Sequence, residues 1–270
     1  MRKGNIGISI IAIFLFVLSM YPFFVMLVSS LKYQMQIYEN PWFFSAPFHL
    51  SNYKVAFNQI SQPILNSILI TLIGILATVI ASSTAAYAFS RHDFPFKNFF
   101  YSVIIMLLMI PGFVILVPQF INIKNMGLYN TILGQALPPA ASYTAMGVLL
   151  MRSYFEGLSK SLYEAAEMEG AKDLRIFTQI VIPLSKPILA TVAIMSGLSI
   201  WNNFVWSLVV TTGESVMPVI LAITMLKGNI NEGDGVKLAG YIIASLPLLL
   251  LFLAATKPFV AGLTQGAVKG

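Results

Sequence analysis

Glu164, Glu167 and Glu169, with Lys160 and Lys172 on either side, are the densest set of chemically active side chains in the sequence. Clustered acids can do general acid–base work or hold a metal ion. Glu164 and Glu167, however, are three positions apart in a helix-forming stretch, which sets both on one exposed helical face beside lysines. A carboxylate set of that kind is solvated or faces a partner. The other groups that nucleophilic or metal chemistry requires are missing or scattered: there is no cysteine, and His49 and His92 stand far apart in the chain. Neither a His-Glu-x-x-His pattern nor a Gly-x-x-x-x-Gly-Lys-Ser/Thr loop occurs. Enzyme chemistry has no visible home here, and any nucleotide that drives this protein must be bound by another chain.

The segment that positions these acids is a polar island in an apolar protein, running from Met151 to Lys186. Ser161 followed by Glu164 fits a capping box, so a short helix is expected to start there. Gly170 ends it, because a left-handed residue after the last turn costs glycine nothing, and Pro183 stops the second helical stretch. Two short helical pieces broken at Gly170 result. Between cap and glycine, Ala165 and Ala166 are small enough for another backbone to approach closely. The segment therefore has the outline of a docking surface.

The surroundings are those of a membrane protein. Hydrophobic residues make up 57% and charged residues 10% of the 270, with mean hydropathy +0.82; an ordinary soluble domain is about 25% charged. Six apolar runs, at 7–31, 64–89, 99–121, 133–151, 188–210 and 238–256, are long enough to cross a hydrocarbon core of about 30 Å. The first is too long for a signal-peptide core and is read as a retained helix. With the N-terminus inside, Arg2, Lys3, Arg91, Lys97, Arg152, Lys160, Lys172, Arg175, Lys186, Lys257 and Lys269 fall on the cytoplasmic side, against Lys32, Lys54, Lys124, Lys227 and Lys237 outside. This asymmetry predicts cytoplasmic termini and a cytoplasmic Glu164 segment. It also accounts for the net charge of +6 without nucleic acid.

No Asp, Glu, Lys, Arg or His lies within the six runs, which disfavours a proton-driven carrier. Pro111, Pro118, Pro138, Pro139 and Pro247 predict kinks. An aromatic-rich outer loop comes after the first run, with Trp42, Phe43, Phe44, Phe48, Tyr53 and Phe57 suited to the membrane boundary or to a partner's surface. Tyr87, Trp201, Asn202, Asn203 and Trp206 offer aromatic faces and amides of the kind that recognise sugars, and they are candidates for a solute path. The same rings also suit membrane anchors. Ser82, Ser83 and Thr84 are expected to permit close helix packing or to bond their own backbone.

The run Glu164-Ala165-Ala166-Glu167-Met168-Glu169-Gly170-Ala171, followed by Phe177, Ile182-Pro183-Leu184 and Pro187, resembles the EAA loop of bacterial ABC importer permeases. The likeness extends to Asn66-Ser67, Ala85 to Phe89, Ile110-Pro111, Gly127 to Thr131, Trp201 to Phe204 and the tail from Gly262, which are similar to the carbohydrate-uptake branch; the tail is similar to that of maltose-transporter G-type subunits. Position 169 is Glu where that family often has Asp, and position 203 is Asn where an acid is common.

The resemblance implies an all-α membrane protein with six transmembrane helices, in a type I ABC importer permease fold with a cytoplasmic coupling helix. It divides the chain into a first helix and outer loop (1–63), a permease core (64–258, with the EAA loop at about 155–187) and a cytoplasmic tail (259–270). Glu164, Ala165, Ala166, Glu167, Glu169, Gly170 and Ala171 would couple the chain to an ATPase. Implied partners are a second permease subunit, two copies of a cytoplasmic ATPase and an extracytoplasmic solute-binding protein. The solute would be a sugar or oligosaccharide, with a sugar phosphate or polyol as the alternative. ATP and magnesium would belong to the ATPase, leaving this chain without a cofactor. A carrier or channel working without ATP is the competing reading from another class, and the docking-like Glu164 segment speaks against it.

Overall fold

The computed structural model describes residues 5–227 and 233–267, with side chains for 7–227 and 233–253. Arg2, Lys3, Lys269 and Gly270 lie outside the described residues, and Lys257 and the tail from Gly262 lie beyond the described side chains. Helices α1 (Asn5–Ser30), α2 (Gln34–Glu39), α3 (Ser51–Arg91) and α4 (Lys97–Met106) are followed by a 3-10 turn, Leu107–Met109. Next come α5 (Gly112–Asn125), α6 (Ile132–Phe155), α7 (Lys160–Met168) and α8 (Asp173–Ile176), then a π-helical turn, Phe177–Val181. The chain continues through α9 (Ile182–Leu184), α10 (Lys186–Trp201), α11 (Phe204–Val210), α12 (Val219–Ala222), a 3-10 turn at Ile223–Met225, and α13 (Gly233–Ala267). No strand occurs among the described residues.

Gly7–Ser30, Ser51–Arg91 and Gly233–Leu253 are long and apolar enough to cross a membrane unaided. The expected span at 99–121 is instead a bent pair, and the one at 188–210 is broken between α10 and α11 and preceded by a second bend. Lys97–Met109 meets Gly112–Asn125 at 105°, and Asp173–Leu184 meets Lys186–Trp201 at 78°. The first bend falls at Pro111, as the kink expectation had it, because proline offers no N–H to continue the upstream helix. The second falls at Ser185. Pro183 does not stop its helix as expected: the π-helical turn precedes it, and the chain stays helical to Leu184. The run at 133–151 forms most of α6, a 24-residue helix with eleven buried residues, including Gln135, Pro138 and Pro139. It serves as an inner helix, which is why polar and proline residues are tolerated there.

The larger departure is α3. Its 41 residues extend about 60 Å, roughly twice the hydrocarbon core, and residues 51–63, expected as loop, form its first turns. The signal was present in the spacing of Asn52, Ala56, Ile60, Pro63, Ser67 and Ile70, all buried at a helical period.

The chain divides into two compact units. In the first (Met1–Ile64 with Leu221–Leu246), Ala56, Val236 and Ala239 make a small core with Tyr53, Val55 and Ile243 around it. The loop after α1 is held by buried side chains. Lys32 is only 1% exposed and donates to the carbonyls of Phe43 (2.6 Å) and Asn40, while Asn52 Nδ2 donates to those of Ser30 and Lys32 (2.9 Å each). Burial pulls the Lys32 ammonium below the ordinary lysine pKa. From Ile8 to Phe24 the side chains of α1 are exposed, leaving it an apolar surface suited to lipid.

In the second unit (Leu65–Ile220 with Pro247–Gly270), α3, α6 and α10 pack through small residues. A Cβ on Gly147 of α6 would collide with Ser82 of α3, whose hydroxyl donates to the Thr144 carbonyl (3.2 Å). Ser83 and Thr84 bond the Ile80 carbonyl of their own helix (3.2 and 2.8 Å), so both expected uses of this trio occur. Gly147→Ala should destabilise the protein by about 1–3 kcal/mol through overpacking. Adding Ser82→Gly should recover part of that loss, as read from thermal unfolding in detergent. Independent, additive effects of the two changes would contradict the contact.

Candidate functional site

The acidic segment forms an arm at one end of the second unit. The N-cap of α7 is Ser159, two residues before the expected Ser161, and its hydroxyl lies 2.7 Å from that of Ser161 with no side-chain cap bond to the backbone. The capping box is therefore not formed, and Glu164 is exposed to solvent. The other end is as expected. Gly170 has φ +77°, its N–H donates to Glu167 O (2.9 Å) and that of Ala171 to Ala166 O (2.9 Å), the paired bonds of a Schellman motif. Any residue with a Cβ at 170 would cost about 1–2 kcal/mol.

The arm has two faces. Tyr163 and Ala166 are buried in a core with Ala86 and Tyr87 of α3, Met151 and Phe155 of α6, Ile176, Val181, and Ile188 and Val192 of α10. Ala171, the C″ residue of the motif, packs against the same core. Ala166, expected to be open to a partner, thus faces its own chain at 6% exposure. The outward face carries Leu162, Ala165 and Met168 at intervals of three, with Glu164 and Glu169 beside them. Met168 is 89% exposed, and Leu174 and Leu184 extend the apolar surface beyond α7.

Polar contacts fasten the arm further. Arg91, in the last turn of α3, pairs with Glu167, and its guanidinium lies 5.0 Å from the centroid of the Tyr163 ring. Burial pushes the Tyr163 phenol above its usual pKa, with Arg91 acting in the opposite sense. The Tyr87 hydroxyl donates to Asp173 Oδ1 (3.4 Å), His92 Nε2 stands 3.7 Å from the same oxygen, and the Tyr87 ring packs on Phe177 (5.0 Å between centroids). Tyr87, proposed for a solute path, is a strut behind the arm. Arg91, Tyr163 and Asp173 were not singled out in the sequence. The helical spacing of Tyr163 and Ala166 was the available signal, since it separates them from the charged face.

A second feature is an open cleft of about 360 Å³ between α5, α6, α10 and α11. Gln119, Ser142, Tyr143, Ser199 and Asn203 give it polar walls, with Trp206 among the apolar ones and no charged residue in the lining. Two of the path candidates reach it. Asn203 also caps α11, its Oδ1 accepting from Trp206 N (3.2 Å), and Trp206, 3% exposed, donates Nε1 to the Gly134 carbonyl (3.1 Å). Trp201 is buried, and Asn202 is exposed with its amide on the Leu198 carbonyl (2.9 Å); neither lines the cleft. Gln119, Ser142, Tyr143 and Ser199 carried no motif that would have marked them. Among the described residues, no group of three or more acids or histidines could hold a metal ion.

Residues 77–263 match the family described as binding-protein-dependent transport system inner membrane component, a range that holds the arm and the cleft. A probable ABC transporter permease of Bacillus subtilis, YurM, is 35% identical over all of this chain and 91% of its own length. The melibiose/raffinose/stachyose import permease MelC of the same organism is 32% identical, covering 92% of this chain and 91% of MelC. The arabinooligosaccharide permease AraQ of Halalkalibacterium halodurans is 34% identical over 76% of this chain and 73% of its own. In fold, the chain matches one from the crystal structure of a bacterial ABC transporter involved in import of the acidic polysaccharide alginate, with TM-score 0.80, 24% identity, and coverage of 95% and 96%. The chain is a multi-pass membrane protein of the binding-protein-dependent transport system inner membrane component family.

Proposed function

We propose that this chain is the permease subunit of an ATP-driven importer for a sugar or oligosaccharide, and that α7 is the helix through which a cytoplasmic ATPase drives it. The observation that carries the reading is the two-faced arm: an outward ridge of Leu162, Ala165 and Met168 edged by carboxylates, on a seat that belongs to α3, α6 and α10. A surface of this kind fits a partner's groove, and a partner that moves it must move three helices with it. Relatives named for the uptake of arabinooligosaccharides and of melibiose, raffinose and stachyose support the substrate class. So does the cleft, whose uncharged walls of amides, hydroxyls and aromatic rings suit a neutral, hydroxyl-rich solute better than a sugar phosphate.

In this reading the arm and both termini are cytoplasmic, in keeping with the lysine and arginine asymmetry. Two ATPase copies dock beneath this chain and a second permease subunit, and an extracytoplasmic solute-binding protein delivers the ligand. ATP and magnesium are held by the ATPase, and this chain contributes motion rather than catalysis.

Single cysteines test the orientation of the arm, because the chain contains none of its own. A cysteine at Met168 or Ala165 should crosslink to the ATPase in native membranes, whereas one at Ala166 should not. Equal labelling of 165 and 166 would overturn the two-faced arm, and no ATPase crosslink at either outward site would overturn the docking. Glu164→Lys and Gly170→Pro should leave the chain in the membrane but cut ATP-driven uptake by about tenfold or more, the size of a coupling free energy. Normal uptake by both would refute the assignment.

For the cleft, Gln119→Ala and Tyr143→Phe should each lower sugar uptake about two- to tenfold, the worth of one neutral hydrogen bond, while ATPase docking persists. Unchanged transport kinetics in both variants would remove the cleft from the path.

A further inference from the structure

The turn between α3 and α4 holds features that the transport reading does not use. Phe96 sits at φ 61°, ψ 18°, a left-handed conformation that costs a non-glycine residue about 1–2 kcal/mol. Its side chain is nevertheless 76% exposed, so packing within the chain does not offset that cost. Beside it, Lys97 and Arg152 line an open cleft of about 410 Å³ together with Asn98 and Phe99.

Both cations are largely covered and retain donor capacity. The Arg152 guanidinium lies 3.8 Å from the centroid of the Tyr101 ring and gives only Nε to Glu156 (2.8 Å), so among the described residues its Nη groups have no hydrogen-bond acceptor. Lys97 bonds Asp93 at 3.1 Å, but that carboxylate is fully exposed, and such a pair is worth at most about 1 kcal/mol. Asp93 is the one acid in the lining, against two cations. With Glu156 on the Arg152 Nε and Asp93 on Lys97 the charges around the cleft balance, but the Arg152 Nη groups and the remaining Lys97 N–H groups are left to meet an anion, and the cleft is open on one side. Helix α4, at its rim, has no buried residue, and Phe99 and Phe100 stand exposed along it. A soluble anion would need the cations and not the rings. A lipid needs both, since its phosphate meets the cations while its glycerol and upper chains meet the aromatics.

We propose that this cleft binds the headgroup of an anionic phospholipid, with Lys97 and Arg152 on the phosphate and Phe96 and Phe99 against the apolar part of the same molecule. The site lies at the end of the second unit that carries the arm, because Asp93 and Lys97 also line the depression shared with Lys160, Tyr163 and Glu164.

The test uses the full-length chain, expressed with its partner chains and placed in nanodiscs holding phosphatidylglycerol and phosphatidylcholine in equal parts. After extraction into mild detergent, retained lipid is counted by native mass spectrometry. Phosphatidylglycerol should be retained about tenfold over phosphatidylcholine, as two cations near a membrane surface provide, and the preference should shrink as sodium chloride is raised. Lys97→Gln combined with Arg152→Gln should bring retention close to parity, while Lys124→Gln, a distant exposed cation, should leave it unchanged. Equal retention by the wild type, or an unaltered preference in the double variant, overturns the site. Loss of bound phosphatidylglycerol on adding inorganic phosphate at constant ionic strength would show a soluble-anion site and overturn the lipid assignment. A wild-type readout needs no variant: amide exchange across residues 93–100 should slow in phosphatidylglycerol discs relative to phosphatidylcholine discs, and identical exchange in the two contradicts the proposal.

Discussion

The burial of Tyr163 and Ala166 against the ends of α3, α6 and α10 is the contact on which the rest of the arrangement turns. An amphipathic helix of nine residues has little stability in water, since nucleation is costly and few backbone bonds return it. It persists here because its inner face is part of a core and its C-terminus is closed by the Gly170 turn. The contact thus forms the helix and ties it to the membrane-crossing elements in a single act. Arg91 and Asp173 add direction more than strength, because exposed ion pairs contribute little. The apolar contact is what joins the arm to the helices.

A second constraint runs through both units: backbone groups that leave a helix inside an apolar protein must find partners. The chain meets it with neutral amides and hydroxyls. Asn66 donates to the carbonyls of Ser215 and Met217 (3.0 Å each), Gln135 to that of Val216 (2.6 Å), and Ser67 Oγ accepts from Val219 N (2.8 Å). The stretch entering α12 is therefore held by side chains of α3 and α6 rather than by its own secondary structure. Lys32 does the same for the loop after α1 with a charge, at a position past the end of that helix where its ammonium is satisfied by carbonyls.

These constraints explain what the sequence made legible. Apolar runs longer than a bilayer, the glycine that ends α7 and the proline at 111 each act through local rules, so their outcomes were readable from neighbouring residues alone. The early start of α3 was readable too, but its signal, one residue in three or four from Asn52 to Ile70, was masked by the polar and aromatic residues between. What local rules could not supply was direction. Ala165 and Ala166 are chemically identical, and only the partners across the fold decide that one faces out and the other in. The same holds for Tyr87, whose amphipathic ring suits a sugar path as well as a strut until Phe177 and Asp173 are found beside it. The cleft residues Gln119, Ser142, Tyr143 and Ser199 come from three helices and share no spacing that sequence could show.

The opposite facing of Ala165 and Ala166 bears on how such an arm can be exchanged between proteins. A short surface helix invites transplantation as a cassette, on the view that its outer residues carry all the specificity. Here half of the cassette is a plug shaped to its own socket, and a graft of 160–171 into another scaffold would bring the outward ridge without the cavity that receives Tyr163 and Ala166. The smallest unit that can be swapped is the helix together with its seat, which spans segments from α3 to α10. The arm is a local feature in sequence but a distributed one in manufacture.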